Sequence, residues 1–234
     1  EMAKEKFDLI HYPHFNSPIL FPKKSICTIH DITPLFYPGH KMKSILRRLA
    51  YRAVFGSTLH KARQIIAVSE STKQGIIDYF KIKSDKITVI YEGVDERFKI
   101  ITDNGIINEV KTRFGITKPY IFYIGVWREH KNIESLVKAF NLLKQTHKIE
   151  HQLVLAGRED LHYTHVREEI NRSPYKNDIL TPGYIADSDL PVLYNAASCF
   201  ALPSYIEGFG LIAIEAQKCG CPVVSSSTSS LPEV

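Results

Sequence analysis

Short apolar runs alternate with amphipathic stretches along almost the whole chain. The runs at 8–11, 25–30, 64–69, 86–91, 120–125, 152–157, 178–181, 199–203 and 222–225 are rich in Ile and Val, and most lack polar alternation. Strands covered on both faces have that appearance. Between them, 42–61, 70–81, 133–148, 161–171, 188–197 and 211–218 read as amphipathic helices. The clearest is 133–148, with Ile133, Leu136, Val137, Phe140 and Leu143 on one face and Asn132 placed as its N-cap. Strand–helix–strand alternation predicts an α/β fold of parallel strands joined by right-handed crossovers. The pattern breaks between 95 and 119, where charge, Gly and turn residues mix around at most a short helix near 107–114. A domain boundary is expected there.

Length and composition narrow the class. At about 150 residues per domain, 234 residues is more than one domain and less than two. Hydrophobic residues at 44% and charged residues at 24% are ordinary globular usage and exclude a disordered chain. No apolar run approaches the ~18 residues of a membrane span. The chain opens on Glu1 with no charged-then-apolar leader, so no signal peptide is expected, and this start need not be the natural one. Cys27, Cys199, Cys219 and Cys221 are too few and too unevenly spaced for a disulfide scaffold, and read as reduced, mostly buried thiols of a cytosolic protein.

The net charge of +5 is local. Lys41, Lys43, Arg47, Arg48, Arg52, Lys61 and Arg63 fall between 40 and 63 with no acidic residue among them, and the remainder of the chain is slightly acidic. That excludes a global nucleic-acid signature. With Ile45, Leu46, Leu49, Ala53 and Val54 on one face, 42–61 reads either as a helix resting on an anionic membrane or as a solvated basic helix.

Parallel sheets bind ligands at the carboxyl ends of their strands, so chemistry is sought just after each strand. After the run 199–203 comes Glu207-Gly208-Phe209-Gly210-Leu211, leading into a helix. Gly208 and Gly210 would let the backbone approach a ligand, and the helix would point free N–H groups at a diphosphate or at sugar hydroxyls. Glu215 lies in an otherwise apolar helix segment. A carboxylate buried there needs a fixed partner; a pair of ribose hydroxyls and a neighbouring backbone donor serve equally well. After the run 120–125, Gly125 makes room and Lys131 sits at a helix start, where a cation is unfavourable without an anion. A phosphate clamp and a solvated turn lysine both remain open. His30 and Asp31 end the run 25–30; His30 would face a cleft or be structural, and Asp31 before Thr33-Pro34 could cap a turn. Asp187-Ser188-Asp189 precedes a helix and reads as N-capping, not as a metal motif. His11/His14 and His162/His165 have no convincing third metal ligand.

The blocks 203–210, Glu215-Ala216, 219–224 and 229–234 resemble the group 1 (family four) retaining glycosyltransferases of GT-B fold, whose mark is two glutamates separated by seven residues, as Glu207 and Glu215 are. Blocks 68–73, 92–95, Gly125 with Lys131-Asn132, 155–157 and 183–185 agree in order. The resemblance implies two Rossmann-like domains with parallel sheets facing across a cleft, both incomplete here. Residues 1–98 would be a partial acceptor-side domain, 99–118 a linker, and 119–234 a partial nucleotide-sugar-binding domain. Complete relatives extend further at both ends, so a fragment is expected.

By the same resemblance, Glu207 would hold the donor sugar and stabilise charge at its anomeric carbon, with His30 near that sugar. Glu215 would bind the ribose, the 209–211 backbone (Phe209, Gly210, Leu211) would contact sugar and phosphate, and Lys131 would neutralise the leaving diphosphate, helped by His130 or Arg128. The implied reaction moves a mannosyl or glucosyl group from a nucleoside diphosphate sugar to a hydroxyl of a saccharide or lipid-linked saccharide, in cell-surface polysaccharide or glycolipid synthesis. No cofactor, no metal and no nucleic acid is expected. The expected place is cytoplasmic, with peripheral contact at the inner face of the cytoplasmic membrane as the membrane reading of 42–61. The alternatives are a transferase acting on a soluble metabolite and a non-catalytic nucleotide- or polyanion-binding fragment.

Overall fold

The computed structural model describes residues 7–18 and 24–234, and the side chain of Lys41 lies outside the described residues. The described chain forms two compact units. The first holds the described residues up to Glu92, with Ile206–Phe209 and Ser229–Val234; the second holds Gly93–Tyr205 and Gly210–Thr228.

The first unit is a parallel sheet of β1 (Ile10–Tyr12), β2 (Ser25–Ile29), β3 (Gln64–Ala67) and β4 (Ile87–Val89), in that order. Cys27, Ile29, Ile65 and Ala67 from the sheet pack with Phe55, Leu59 and Ile76 from α2 (Ile45–Lys61) and α3 (Glu70–Phe80). A short helix, α1 (Thr33–Phe36), follows β2. The start of α3 is closed twice. The buried Ser69 hydroxyl accepts from the Thr72 N–H at 3.0 Å, and the Glu233 carboxylate accepts from the N–H groups of Glu70 and Ser71, each at 2.8 Å. A negative charge there meets the free donors and positive end of the helix.

The buried side of α2 differs from the apolar face read in the sequence. Phe55, Thr58 and Leu59 are buried, whereas Ile45, Leu46 and Leu49 are exposed by 73, 77 and 54%. Only the C-terminal half of α2 lies on the sheet, so apolar spacing in its first turns has no core beneath it.

The second unit is a five-stranded parallel sheet. In chain order its strands are β5 (Tyr120–Ile124), β6 (Gln152–Ala156), β7 (Ile179–Gly183), β8 (Cys199–Leu202) and β9 (Val223–Ser225), and across the sheet they run β7-β6-β5-β8-β9. Its helices are α4 (Asn104–Arg113), α5 (Ile133–His147), α6 (His165–Arg172), α7 (Leu190–Ala196) and α8 (Leu211–Lys218). β5 and β6 are buried almost throughout, as their unbroken apolar runs predict. Phe122, Tyr194 and Phe200 meet edge to face, with centroids 5.3–6.0 Å apart.

The unit also holds an ion pair whose ammonium is buried. The Lys144 ammonium, 7% exposed, lies 2.8 Å from the Asp178 carboxylate, which Lys118 approaches from a second direction at 2.6 Å. Burial opposes ionisation of Asp178, yet the hydrogen bonds from Lys118 and Lys144 hold its carboxyl below the usual range. The stretch 99–118, expected as a linker, carries α4, whose first N–H groups are capped by the Asp103 carboxylate and which packs on α7.

Candidate functional site

In the second unit the strand order reverses at β5: the chain steps outward from β5 to β6 and β7, then returns to β8 on the other side. Open α/β sheets bind ligands beyond the carboxyl ends of the strands at such a reversal. Both site segments read from the sequence in this unit are here. Lys131 closes a single turn of 3-10 helix, Glu129–Lys131, after β5, and Gly210, in left-handed backbone, leads into α8 after β8.

The two loops are tied by the backbone. The Tyr205 N–H donates to the His130 carbonyl at 2.8 Å, and the Asn132 side-chain amide donates to the Pro203 carbonyl at 3.1 Å. Asn132 thus stands at the start of α5 as expected but makes no side-chain cap; its amide joins the loops instead. His130 is buried, and Arg128 lies 3.9 Å from Asp160. Behind this loop two backbones touch: a Cβ on Gly157, whose φ is +105°, would sit 2.1 Å from the Gly125 carbonyl oxygen. Only glycine fits there.

Glu215 lies one turn into α8 and is buried. Its Oε2 accepts a hydrogen bond from the Tyr194 hydroxyl at 3.2 Å, a partner on α7 that no motif spacing marked. Burial pushes the Glu215 carboxyl above the usual range, and the Tyr194 hydrogen bond and the Arg97 charge pull against that. The acidic pair before α7 does not cap it. Asp187 meets Arg97 at 3.4 Å and Asp189 meets Arg113 at 2.8 Å, so α4 and the segment before it supply cations that take both carboxylates.

The remaining site residues belong to the first unit. His30 follows β2; its Nε2 is 3.0 Å from the Pro13 carbonyl and its Nδ1 2.7 Å from the Glu92 carboxylate. Glu92 drew no expectation from the sequence, because nothing in a linear pattern joins it to His30. Asp31 accepts from the Thr33 N–H at 2.8 Å, the turn-capping reading. Gly208 lies against the same strand end: a Cβ there would be 1.8 Å from the His30 carbonyl oxygen, so the close approach it permits is to protein backbone. The Gly208 carbonyl accepts from Ser69 at 2.6 Å and Thr72 at 3.1 Å. Phe209 is buried and stacks on Tyr91 at 5.6 Å. The Glu207 carbonyl accepts from Ser229 at 2.6 Å and Ser230 at 3.1 Å, which gives the serine-rich stretch 225–230 a structural use its composition hid. Among the described residues no group of three or more His, Cys, Asp or Glu side chains gathers as a metal site would, and no helix is long and apolar enough to cross a membrane.

Comparison with known proteins defines the class. Residues 107–234 match the family described as glycosyl transferases group 1, and 1–98 match that described as glycosyltransferase family 4. The chain belongs to the group 1 glycosyltransferases, and its parallel-sheet units are those of GT-B enzymes.

Among individual proteins it is 30% identical over 226 residues to the O-antigen chain mannosyltransferase B of Escherichia coli, covering 97% of this chain and 58% of that protein. It is 31% identical over 218 residues to the serotype-specific mannosyltransferase WbdA of Escherichia coli, covering 91% of this chain and 26% of the relative. The chain therefore spans little more than half, or less, of the relatives it matches. Its fold resembles that of HepE from Anabaena, solved in complex with UDP and glucose, with a TM-score of 0.78 at 21% identity over 97% of this chain and 61% of that one.

Proposed function

We propose that the protein of which this chain is part transfers a hexosyl group, mannosyl or glucosyl, from a nucleoside diphosphate sugar to a saccharide or lipid-linked saccharide hydroxyl, with retention of anomeric configuration, in cell-surface polysaccharide synthesis. The observation that carries this reading is Glu215. A carboxylate is buried at the head of α8, beside the strand-order reversal, with one tyrosine hydroxyl as its hydrogen-bond donor. A carboxylate accepts several hydrogen bonds, and a ribose diol supplies two.

Each residue has a role. Lys131 and the N–H groups at the start of α8 stabilise the charge that builds on the departing diphosphate, in the way preorganised donors lower such barriers. Glu207 and His30 bind the sugar, and the 209–211 backbone lies along sugar and phosphate. Protein cations and backbone donors supply this stabilisation without a metal or cofactor. The O-antigen mannosyltransferases it resembles favour a saccharide acceptor. The test is proton NMR of the sugar product formed from GDP-mannose, UDP-glucose and ADP-glucose by the complete protein, with methyl α-D-mannopyranoside as acceptor. A product that keeps the donor's anomeric configuration is expected; an inverted one refutes the reading.

A second reading concerns place. Exposed Ile45, Leu46 and Leu49 share α2 with Arg47, Arg48 and Arg52, which suits the surface of an anionic cytoplasmic leaflet. Sedimentation with phosphatidylglycerol vesicles that weakens with salt, and is lost in an I45S/L46S/L49S variant, is expected; no vesicle binding ends it.

A further inference from the structure

Tyr194 stands on α7 with its ring wholly buried. Phe98, Phe122 and Phe200 surround that ring, with centroids 6.0, 5.5 and 5.3 Å away. The helix that carries it is held on two sides. The Tyr120 hydroxyl of β5 donates to the Leu193 carbonyl at 2.6 Å. The Asn195 side chain accepts from the Ile101 N–H at 2.8 Å and donates to the Lys99 carbonyl at 2.9 Å, which ties α7 to the segment before α4. A ring packed this closely has no room to swing, so the fold sets the direction of its hydroxyl. Its three neighbours are phenylalanines, and the hydroxyl is what sets Tyr194 apart from them.

That hydroxyl donates to Oε2 of Glu215 at 3.2 Å. Burial pushes the Tyr194 phenol up, which keeps it a donor near neutral pH. The other carboxylate oxygen, Oε1, has no hydrogen-bond partner among the described residues and is not sealed from solvent. A carboxylate has about four acceptor sites, so one fixed donor orients the group and leaves capacity for a ligand. The same donation acts on charge. Burial favours the neutral Glu215 carboxyl, and the Tyr194 hydrogen bond favours the ionised one. The ionised form is a pure acceptor, which is what two adjacent hydroxyls of a ligand require.

We propose that Tyr194 is the positioning residue for Glu215, and that through it the site favours a ribose over a sugar that lacks the 2′,3′-diol. The inference rests on the ribose role of Glu215 and adds the residue that tunes it.

The test is calorimetric titration of the chain with UDP, GDP and ADP, each beside its 2′,3′-dideoxy counterpart. Tyr194→Phe is expected to weaken binding of the ribonucleotide about fivefold and to leave the dideoxy affinity unchanged. In a Glu215→Ala background Tyr194→Phe is expected to change neither, because the cycle removes whatever acts only through the carboxylate. Equal losses for both members of a pair, or an effect that persists without Glu215, would overturn the inference. So would a Tyr194→Phe chain that fails to fold, by assigning the hydroxyl to the fold. A parent chain that prefers the diol and a Tyr194→Phe chain that prefers it as strongly reject Tyr194 and leave the donor reading standing. A parent chain that binds no nucleotide, or binds both members of a pair alike, rejects the reading of Glu215 and this inference with it.

Discussion

The two units share an all-parallel sheet but differ in where the strand order turns. In the first, β1 to β4 lie side by side in chain order. In the second, the order reverses at β5, the place where open α/β sheets bind ligands. Among the described residues the first unit has no such reversal, and a small cavity at the ends of β1 and β2 is walled by a loop and by Tyr51 of α2. The units also hold charge differently. The second buries the Lys144 ammonium against Asp178, whereas among the described residues of the first the pairs His30–Glu92 and Lys73–Glu70 both reach solvent. The difference teaches that the second unit closes a buried ammonium within its own packing, while the first leaves apolar surface on α2 open.

Substitutions sharpen that contrast, beginning with the largest effect. Gly157→Ala forces a Cβ to within 2.1 Å of the Gly125 carbonyl and should cost about 4 kcal/mol or more, read from denaturant unfolding of the second unit. A loss under 1 kcal/mol would show that the two strand-end loops are not locked together.

Asp178→Asn should cost about 3 kcal/mol near neutral pH, since it leaves Lys144 buried without its counter-charge. The sign with pH follows from the depressed carboxyl. Its stabilisation is full above the ordinary aspartate range and is lost as pH falls through the lower folded value. Wild type and Asp178→Asn should therefore converge in acid, and parallel curves from pH 7 to 3 would contradict the pairing. Glu215 has the opposite sign. Its raised carboxyl favours the fold at low pH and loses that contribution as pH rises through the raised value.

Lys131→Ala should weaken binding of a nucleoside diphosphate roughly tenfold or more while leaving the nucleoside's own affinity unchanged, measured by paired calorimetric titrations. Equal losses for both would place Lys131 away from the phosphates.

Much of the fold was legible because buried parallel strands write themselves as apolar runs. β5 and β6 stand within a residue of 120–125 and 152–157. The start of α8 was legible for the same reason, with glycine just before an apolar helix. What stayed hidden depends on long-range geometry. Tyr194 meets Glu215 only because α7 and α8 pack together, and Glu92 meets His30 only because β4 ends two strands from β2. Gly208 was read as making room for a ligand, and its neighbour is the His30 backbone. Spacing reports that a backbone must come close, and not to what. Neither Asn132 nor Asp189 caps its helix: Asn132 has left-handed backbone and its amide donates to the Pro203 carbonyl, and the Asp189 carboxylate is taken by Arg113.

The central claim is that the second unit binds the nucleotide of a sugar donor through Glu215 at the strand-order reversal. Calorimetric titration of the chain with UDP, GDP and ADP, with EDTA present, tests it most directly. Saturable one-to-one binding of one of the three, weakened on the order of 100-fold by Glu215→Ala, is the predicted result. Binding by none of them, or binding that Glu215→Ala leaves intact, would contradict it.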